Sequence, residues 1–419
     1  MADILVVGGG IGGLTLALCL HRNGIPCRVL EAAPEVRPLG VGVNILPHAA
    51  AELARLGLED ALLRLGVQTD EANFFNRFGQ PVHREPLGRA AGYDHPQISL
   101  HRADLHGTLL EAVRERLGPE AILLDRRCVG AEQDAGGVTL RFAPGADGAV
   151  PPPMRGAVAV GADGIHSALR RQLYPAEGDP RYTGYNMWRG VSRWSPILTG
   201  ASLTRVGWLT TGKMVIYPVR DRVDAEGRQL LNWVFEVESA TYRARRDWTL
   251  PGRVEDVLPY IRNWRFGWLN VPAMVQASEV VLEYPMVDQD PLPRWTFGRV
   301  TLLGDAAHPM VPRGSNGAGQ SILDARCLAD LLARTPEDPE AALRAYQAER
   351  LPATARIVLT NRENPPDAIL REVFLRTGDR PFWRIEDVIS REEMLEITGG
   401  YKRVAGYDLE TLRAGARAG

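Results

Sequence analysis

Asp3-Ile4-Leu5-Val6-Val7-Gly8-Gly9-Gly10-Ile11-Gly12-Gly13-Leu14 is the stretch whose reading decides the fold. An apolar run of strand length enters a glycine turn and continues into a segment of helical length, Leu14 to Arg22. Gly8, Gly10 and Gly13 fit G-x-G-x-x-G. The first glycine allows a tight turn, the second lets the backbone approach a pyrophosphate, and the third permits close packing of helix on strand. An ordinary glycine turn can carry the same residues, so the context matters. Pro26 to Leu30 reads as a second strand and ends at Glu31, where an acid can bind a ribose 2′-hydroxyl. A helix starting near Gly12 would aim unpaired N–H groups and the positive end of its dipole at a pyrophosphate. The unit therefore reads as a dinucleotide cradle.

The 419 residues suffice for two or three domains and a substantial core. Forty-nine basic and 51 acidic residues give a formal charge of −2 without charged blocks, which argues against a nucleic-acid face or a polybasic membrane anchor. Small molecules are the expected partners. Only Lys213 and Lys402 are lysines, so Schiff-base chemistry has few candidates. Cys19, Cys27, Cys128 and Cys327 show no C-x-x-C spacing, so neither a metal site nor a disulfide framework is expected, and a reducing cytoplasm is the default location. The N-terminus enters the first strand without the features of a signal peptide. No run approaches the ~18 apolar residues of a membrane span.

Farther along, the loop Pro34 to Asn44 precedes Ala- and Leu-rich helices from about Pro47 to Leu65. Gly40 and Gly42 would let it pass close to a ligand. Phe74, Phe75 and Phe78, with Gly79-Gln80 as a turn and Pro81 to Arg84 beyond, suggest a hairpin leaving the nucleotide-binding part. Arg102 opens an amphipathic helix with Leu105, Leu109, Leu110 and Val113 on one face. Short strands near 121–124 and 138–142 flank a Gly/Pro-rich excursion read as a loop. Ala157 to Val160, running into Gly161-Ala162-Asp163-Gly164, is a second apolar strand ending at an acid. From Tyr182 to Trp295 the sequence holds eight of the nine tryptophans and several alternating segments, which reads as a mostly β region whose indoles fill a core. Arg299 to Leu303, ending in Gly304-Asp305-Ala306-Ala307-His308-Pro309, repeats the pattern of strand, glycine and acid. Pro312 to Gly319 then precedes a helix expected from about Gln320 to Ala333, a second candidate cradle.

Taken in this order, Gly8-x-Gly10-x-x-Gly13 with Glu31, Gly161-Ala162-Asp163-Gly164 and Gly304-Asp305-Ala306-Ala307-His308-Pro309 resemble the single-component FAD-dependent aromatic hydroxylases, the p-hydroxybenzoate and salicylate hydroxylase family, over about residues 1–360. Arg37-Pro-Leu-Gly-Val-Gly-Val-Asn44, Met187-Trp-Arg-Gly190, Tyr284-Pro-Met-Val-Asp288 and Gly317-Ala-Gly-Gln320 are similar to its phenazine hydroxylase branch. The resemblance implies an α/β fold, with a Rossmann-like FAD-binding domain of p-hydroxybenzoate hydroxylase type, an interleaved β-rich substrate domain and C-terminal helices. The expected division is 1–70, 97–181 and 285–360 for the FAD domain, 71–96 and 182–284 for the substrate domain, and 361–419 for the helical segment.

The resemblance also assigns roles. Glu31 holds the adenosine ribose of noncovalent FAD, Arg102 the pyrophosphate or ribityl region, and Asp305 a ribityl hydroxyl, while Asp163 organises the turn beside the pyrophosphate. Pro312, Gly314, Gly317 and Ala318 belong to the loop expected at the pyrimidine edge of the isoalloxazine. Many family members have Gly-Gln-Gly-x-Asn there; Ser315-Asn316-Gly317-Ala318-Gly319 departs from it and leaves open which N–H groups face the flavin. The implied reaction uses NADH or NADPH and O2 to hydroxylate an aromatic or heteroaromatic small molecule through a C4a-hydroperoxyflavin. His48, Arg189, Tyr217 and His308 are candidate substrate-site groups, each with a structural role as the alternative. A flavin oxidase or dehydrogenase without oxygen insertion is the competing reading.

Overall fold

The computed structural model describes residues 3–35, 40–242 and 248–418, so Arg37, Pro38 and Leu39 of the phenazine-type stretch lie outside the described residues. The opening unit forms as read: Ile4–Val7 (β1), Ile11–Arg22 (α1) and Cys27–Leu30 (β2). The chain then leaves through the hairpin Glu71–Phe75 (β3) and Pro81–Pro86 (β4). It returns through Arg102–Leu117 (α2), Ile122–Leu123 (β5) and Val158–Gly161 (β6). Long strands follow at Tyr185–Trp194 (β7), Ser202–Trp208 (β8), Gly212–Arg220 (β9) and Gln229–Glu238 (β10), then Ser278–Tyr284 (β11) and Val300–Leu302 (β12). Helices Asn316–Arg334 (α3), Pro339–Glu363 (α4), Ala368–Thr377 (α5), Arg391–Ala405 (α6) and Leu409–Ala418 (α7) complete the fold.

Two sheets organise these elements. The first is parallel throughout, in the order β12-β6-β1-β2-β5. Its central strand is apolar at every position because both faces are covered, and Ile4, Leu5, Val6 and Val7 are buried in one core with Leu14 and Leu18 of α1 and with Val138 and Leu140 of the strand Gly137–Phe142. Helix α2 lays Leu105, Leu109, Leu110 and Val113 into the same core, with Asp104 in its first turn and Arg114 and Arg116 in its last, matching the helix dipole. The second sheet runs β11-β7-β10-β9-β8-β3-β4. Its pairs are antiparallel except β8 with β3, where the early hairpin joins in parallel. Trp188, Trp233 and Trp264 fill the core on one of its faces.

Three features differ from the sequence reading. Cys128–Asp134 is a strand, pairing with Gly137–Phe142, which pairs in turn with Met154–Gly156 in a small antiparallel sheet. That strand is mostly exposed and carries Glu132, Gln133 and Asp134, so no apolar alternation marks it. Trp295 packs under the parallel sheet against Tyr346 and His308, with ring centroids 5.6 and 5.5 Å away, rather than in the β-rich core. Helix α3 begins at Asn316, four residues before the expected start, despite Gly317 and Gly319 in its first turns. At the far end, α5 and α6 dock on β3 and β8, where Ile369, Leu370, Val373 and Met394 meet Ala72, Phe74 and Trp208. Among the described residues no helix is long and apolar enough to cross a membrane.

Candidate functional site

The glycines of the first turn divide into two kinds. Gly8 adopts φ +108°, and a Cβ there would lie 2.5 Å from the Ala162 carbonyl oxygen, because β6 runs beside β1 and brings Ala162-Asp163 against the turn. A Cβ on Gly13 would sit 2.0 Å from the Gly8 carbonyl oxygen, which is the close helix–strand packing the motif requires. Gly10, by contrast, has nothing within 4 Å of where a Cβ would be. Its open side faces a cavity. Glu31 closes the turn from below: one carboxylate oxygen accepts from Gly9 N and the other from Ala33 N, both at 2.8 Å.

The cavity measures about 1250 Å³. This exceeds the ~300–1,000 Å³ of a pocket for one drug-sized ligand. Gly8, Gly10, Glu31, Arg102, Asp163, Asp305, Pro312, Gly317 and Ala318 line it, and it continues to Arg189, Tyr217 and Tyr284 on the second sheet. Three loops of the parallel sheet, after β1, β6 and β12, thus open onto one space at the carboxyl ends of their strands, where open α/β sheets take ligands. Asp163 accepts from Ala168 N at 2.8 Å through one oxygen, while its other oxygen is buried without a donor. Burial pushes its carboxyl pKa up. Enclosure also pushes Asp305 up, against the opposing charges of His308 and Arg102, although its side chain stays open to the cavity. The first turn of α3 presents Asn316, Gly317 and Ala318 to the same space. Unbonded N–H groups there form a positive helix end.

The second sheet supplies the other wall. Arg189 donates to the Gly42 carbonyl at 2.6 Å and lies 3.4 Å from the Tyr217 hydroxyl. Its Nε is buried without an acceptor, and its guanidinium stands 5.1 Å from the Tyr284 ring centroid. Burial raises the Tyr217 pKa, with Arg189 pulling the other way. Beyond them is a small inner chamber of about 60 Å³, lined among others by Arg189, Arg205, Lys213, Arg313, Glu236 and Asp367. Lys213 pairs with Asp367 and, at 3.2 Å, with Glu236, which also takes Arg313 at 3.2 Å. Arg205 stacks over Phe74 with its guanidinium 5.0 Å from the ring centroid.

Not every sequence candidate reaches the cavity. Gly13 lies behind the turn, and Gly314 lines the inner chamber instead. His48 is corrected to a position outside the cavity, buried and stacked on Tyr407 at 5.5 Å, with Gln320 Nε2 3.5 Å from its Nε2. His308 is likewise buried; its Nε2 is 2.6 Å from Asp324, whose other oxygen accepts from Arg350 at 2.8 Å. Those pairs fasten the Gly304–Pro309 loop to α3 and α4. The sequence reading passed over Arg205 and treated Lys213 only as a scarce residue type. A cation inside each of two largely buried strands, Arg205 in β8 and Lys213 in β9, was the available signal.

A family model described as an FAD binding domain matches residues 1–191 and 282–361, more than half the chain. The chain belongs to the FAD-dependent aromatic hydroxylase family. It is 43% identical over 364 residues to phenazine 1,6-dicarboxylic acid hydroxylase PhzS of Lysobacter antibioticus, covering 86% of this chain and 89% of that protein. It is 31% identical to 3-hydroxybenzoate 6-hydroxylase 1 of Aquipseudomonas alcaligenes over 85% of this chain and 86% of that one. The solved structure of Klebsiella pneumoniae HpxO complexed with FAD and uric acid superposes with a TM-score of 0.72 at 25% identity, covering 99% of this chain and 95% of that one. The enzyme is an FAD-dependent aromatic monooxygenase with a Rossmann-like FAD-binding sheet and a β-rich second sheet. The relatives are hydroxylases, which sets aside the oxidase or dehydrogenase alternative.

The residues present fit FAD. Gly10 with its open side, Asp163 with one buried oxygen lacking a donor, and the first turn of α3 all line one cavity large enough for a dinucleotide. When bound, FAD supplies the chemistry of the enzyme, taking electrons from NAD(P)H and activating O2.

Proposed function

We propose that this enzyme hydroxylates a fused heteroaromatic ring that carries a carboxylate, with Arg189, Arg205 and Tyr217 at the substrate end of the cavity. The observation that carries the reading is the inner chamber: four cations and two carboxylates line it, an excess of two positive charges in an enclosed space. Arg313 and Lys213 are committed to Glu236 and Asp367. Arg205 stands over Phe74 and Arg189 keeps a buried Nε without an acceptor, so both can receive an anionic substituent. At about 60 Å³ the chamber takes the carboxylate group, while the ring lies in the adjoining cavity beside Tyr217, Leu282 and Tyr284. The relative at 43% identity is named for a phenazine dicarboxylic acid, which agrees with this chemistry.

In this reading Glu31, Arg102, Asp163 and Asp305 bind FAD together with Gly8, Gly10 and the Pro312–Ala318 loop, and Gly13 lets α1 pack closely behind the turn. Tyr217 and Arg189 orient the ring and exclude water from it. The domain division at 1–70, 97–181 and 285–360 against 71–96 and 182–284, with 361–419 helical, is supported by the membership of the two sheets. A cytoplasmic location is supported by four free thiols, which burial raises to about 11 or 12.

The test is a substrate panel with Arg205→Ala and Arg205→Lys. Wild type should bind a phenazine carboxylate more tightly than the same ring lacking the carboxylate, and more tightly than a one-ring phenol. Arg205→Ala should raise KM for the carboxylate about 10–100-fold, the worth of a charged hydrogen bond, and leave the unsubstituted ring unchanged. Arg205→Lys should recover part of the loss. Equal losses on both ligands would remove Arg205 from the site, and a strong preference for the one-ring phenol would remove the fused-ring assignment.

A further inference from the structure

The turn that leads into α3 is held in place from outside the parallel sheet. Ser315 occupies φ +58°, ψ +30°, left-handed for a residue with a Cβ, and its neighbour Gly314 has φ +70°. Such a conformation persists only where its surroundings over-determine it. The surroundings here are the C-terminal helices. Tyr401 of α6 reaches the turn so closely that a Cβ on Gly314 would lie 1.9 Å from its hydroxyl oxygen. That oxygen accepts from Asn316 Nδ2 at 2.8 Å, and the hydroxyl donates to Asn361 Oδ1 of α4 at 2.7 Å. The same Asn316 amide donates to the Gly314 carbonyl at 3.0 Å, so the polar chain closes on the turn itself. Asn316 and Asn361 are fully buried and Tyr401 nearly so. Burial pushes the Tyr401 hydroxyl pKa well above its ordinary range, which keeps it a neutral donor.

A second tie reaches the turn from its other side. Arg313 is buried against Glu236 of β10, which pairs with Lys213 of β9, and Lys213 pairs with Asp367 at the start of α5. Burial works to raise the Asp367 carboxyl, but Lys213 and Arg313 outweigh it and hold it below the usual range. The residues on each side of Ser315 are therefore anchored to different C-terminal helices.

We infer that the C-terminal helices set the geometry of the flavin-facing end of the cavity, with Tyr401 as the positioning residue. The inference rests on the assignment of the Pro312–Ala318 loop to FAD. Tyr401 does not line the cavity; it acts through Asn316, whose placement aims the first N–H groups of α3 into it. Losing the hydroxyl frees Ser315 to relax out of the left-handed region, and the helix end turns with it.

The experiment compares wild type with Tyr401→Phe, which keeps the ring and removes only the hydroxyl. FAD affinity is measured by fluorescence on reconstitution of the apoprotein, together with flavin reduction potential and hydrogen peroxide released per NAD(P)H. The FAD Kd should rise about 5–30-fold, the potential should fall, and peroxide release should increase. Asn361→Leu, which deletes the acceptor at the other end of the same chain, should shift Kd in the same direction by a smaller factor. A lowered melting temperature with unchanged Kd, potential and peroxide ratio in both variants would make Tyr401 a packing residue and overturn the inference. Gly317→Pro separates the two levels: if it weakens FAD while Tyr401→Phe does not, the loop assignment stands and the positioning role of Tyr401 fails. If neither affects FAD, the loop assignment itself fails.

Discussion

His48 shows how the burial of one side chain reaches a measurable property. Enclosure, and secondarily the Arg350 charge, push its pKa down to about 3, so the folded protein holds it neutral. The unfolded chain binds a proton there below about 6.5. The stability tied to neutral His48 is therefore complete above about pH 6.5 and is lost as pH falls toward 3, at up to ~1.4 kcal/mol per pH unit. His48→Gln keeps a polar side chain beside Gln320 without the titration. Urea denaturation at pH 7 and pH 5.5 should show a loss in wild type that is smaller by about 1 kcal/mol in the variant. An equal loss in both would mean that other groups carry the acid sensitivity. At this scale the sequence was readable where a residue belongs to a motif: Gly8, Gly10 and Gly13 form the turn between β1 and α1, Glu31 follows β2, and Asp163 and Asp305 follow β6 and β12 in glycine-containing turns. His48 was not, because its sequence neighbours say nothing about Tyr407, its stacking partner.

Helix α3 is the element that joins cavity, core and C-terminal segment. Asp324, halfway along it, is held between His308 and Arg350, and Gln320 accepts from Arg350 at 2.6 Å. Its first turn is exposed to the cavity, where Gly317 meets only Asp305 Oδ1, at 3.9 Å from a would-be Cβ. Gly317→Ala therefore adds a methyl in ordinary contact and keeps the N–H. Gly317→Pro removes the N–H near the start of a helix, where proline is best tolerated, though it also restricts Asn316. The alanine variant should keep the wild-type FAD reduction potential. The proline variant should lower it by the equivalent of ~0.3–1 kcal/mol, roughly 5–20 mV for a two-electron couple, and release more hydrogen peroxide per NAD(P)H. Equal potentials in all three proteins would mean that this helix end does not act on the flavin. The helix start at Asn316 escaped the sequence reading because Gly317 and Gly319 have poor helix propensity, which packing against α1, α4 and the short helix Pro47–Arg55 overrides.

For the whole molecule, hydroxylation requires the two sheets to close one cavity around both cofactor and ring. Oxygen from labelled O2 should appear in the product, with one NAD(P)H oxidised per product in coupled turnover. Label arriving from water would contradict the monooxygenase assignment. The sequence by itself determined the parallel sheet, its first glycine turn and the acids that follow β2, β6 and β12, because those depend on short stretches in which strand, turn and helix are adjacent along the chain. It also revealed the early hairpin as an excursion. Only the tertiary structure decided that this hairpin joins β8 in parallel, that Arg189, Arg205, Lys213 and Arg313 converge from three strands and a loop, and that Tyr401 reaches Gly314 across 87 positions of sequence. Convergence of that kind is set by how sheets and helices pack. Local sequence carries the propensity to form each element, but the partner that an isolated arginine or tyrosine meets lies on another element, and only the packed core fixes it.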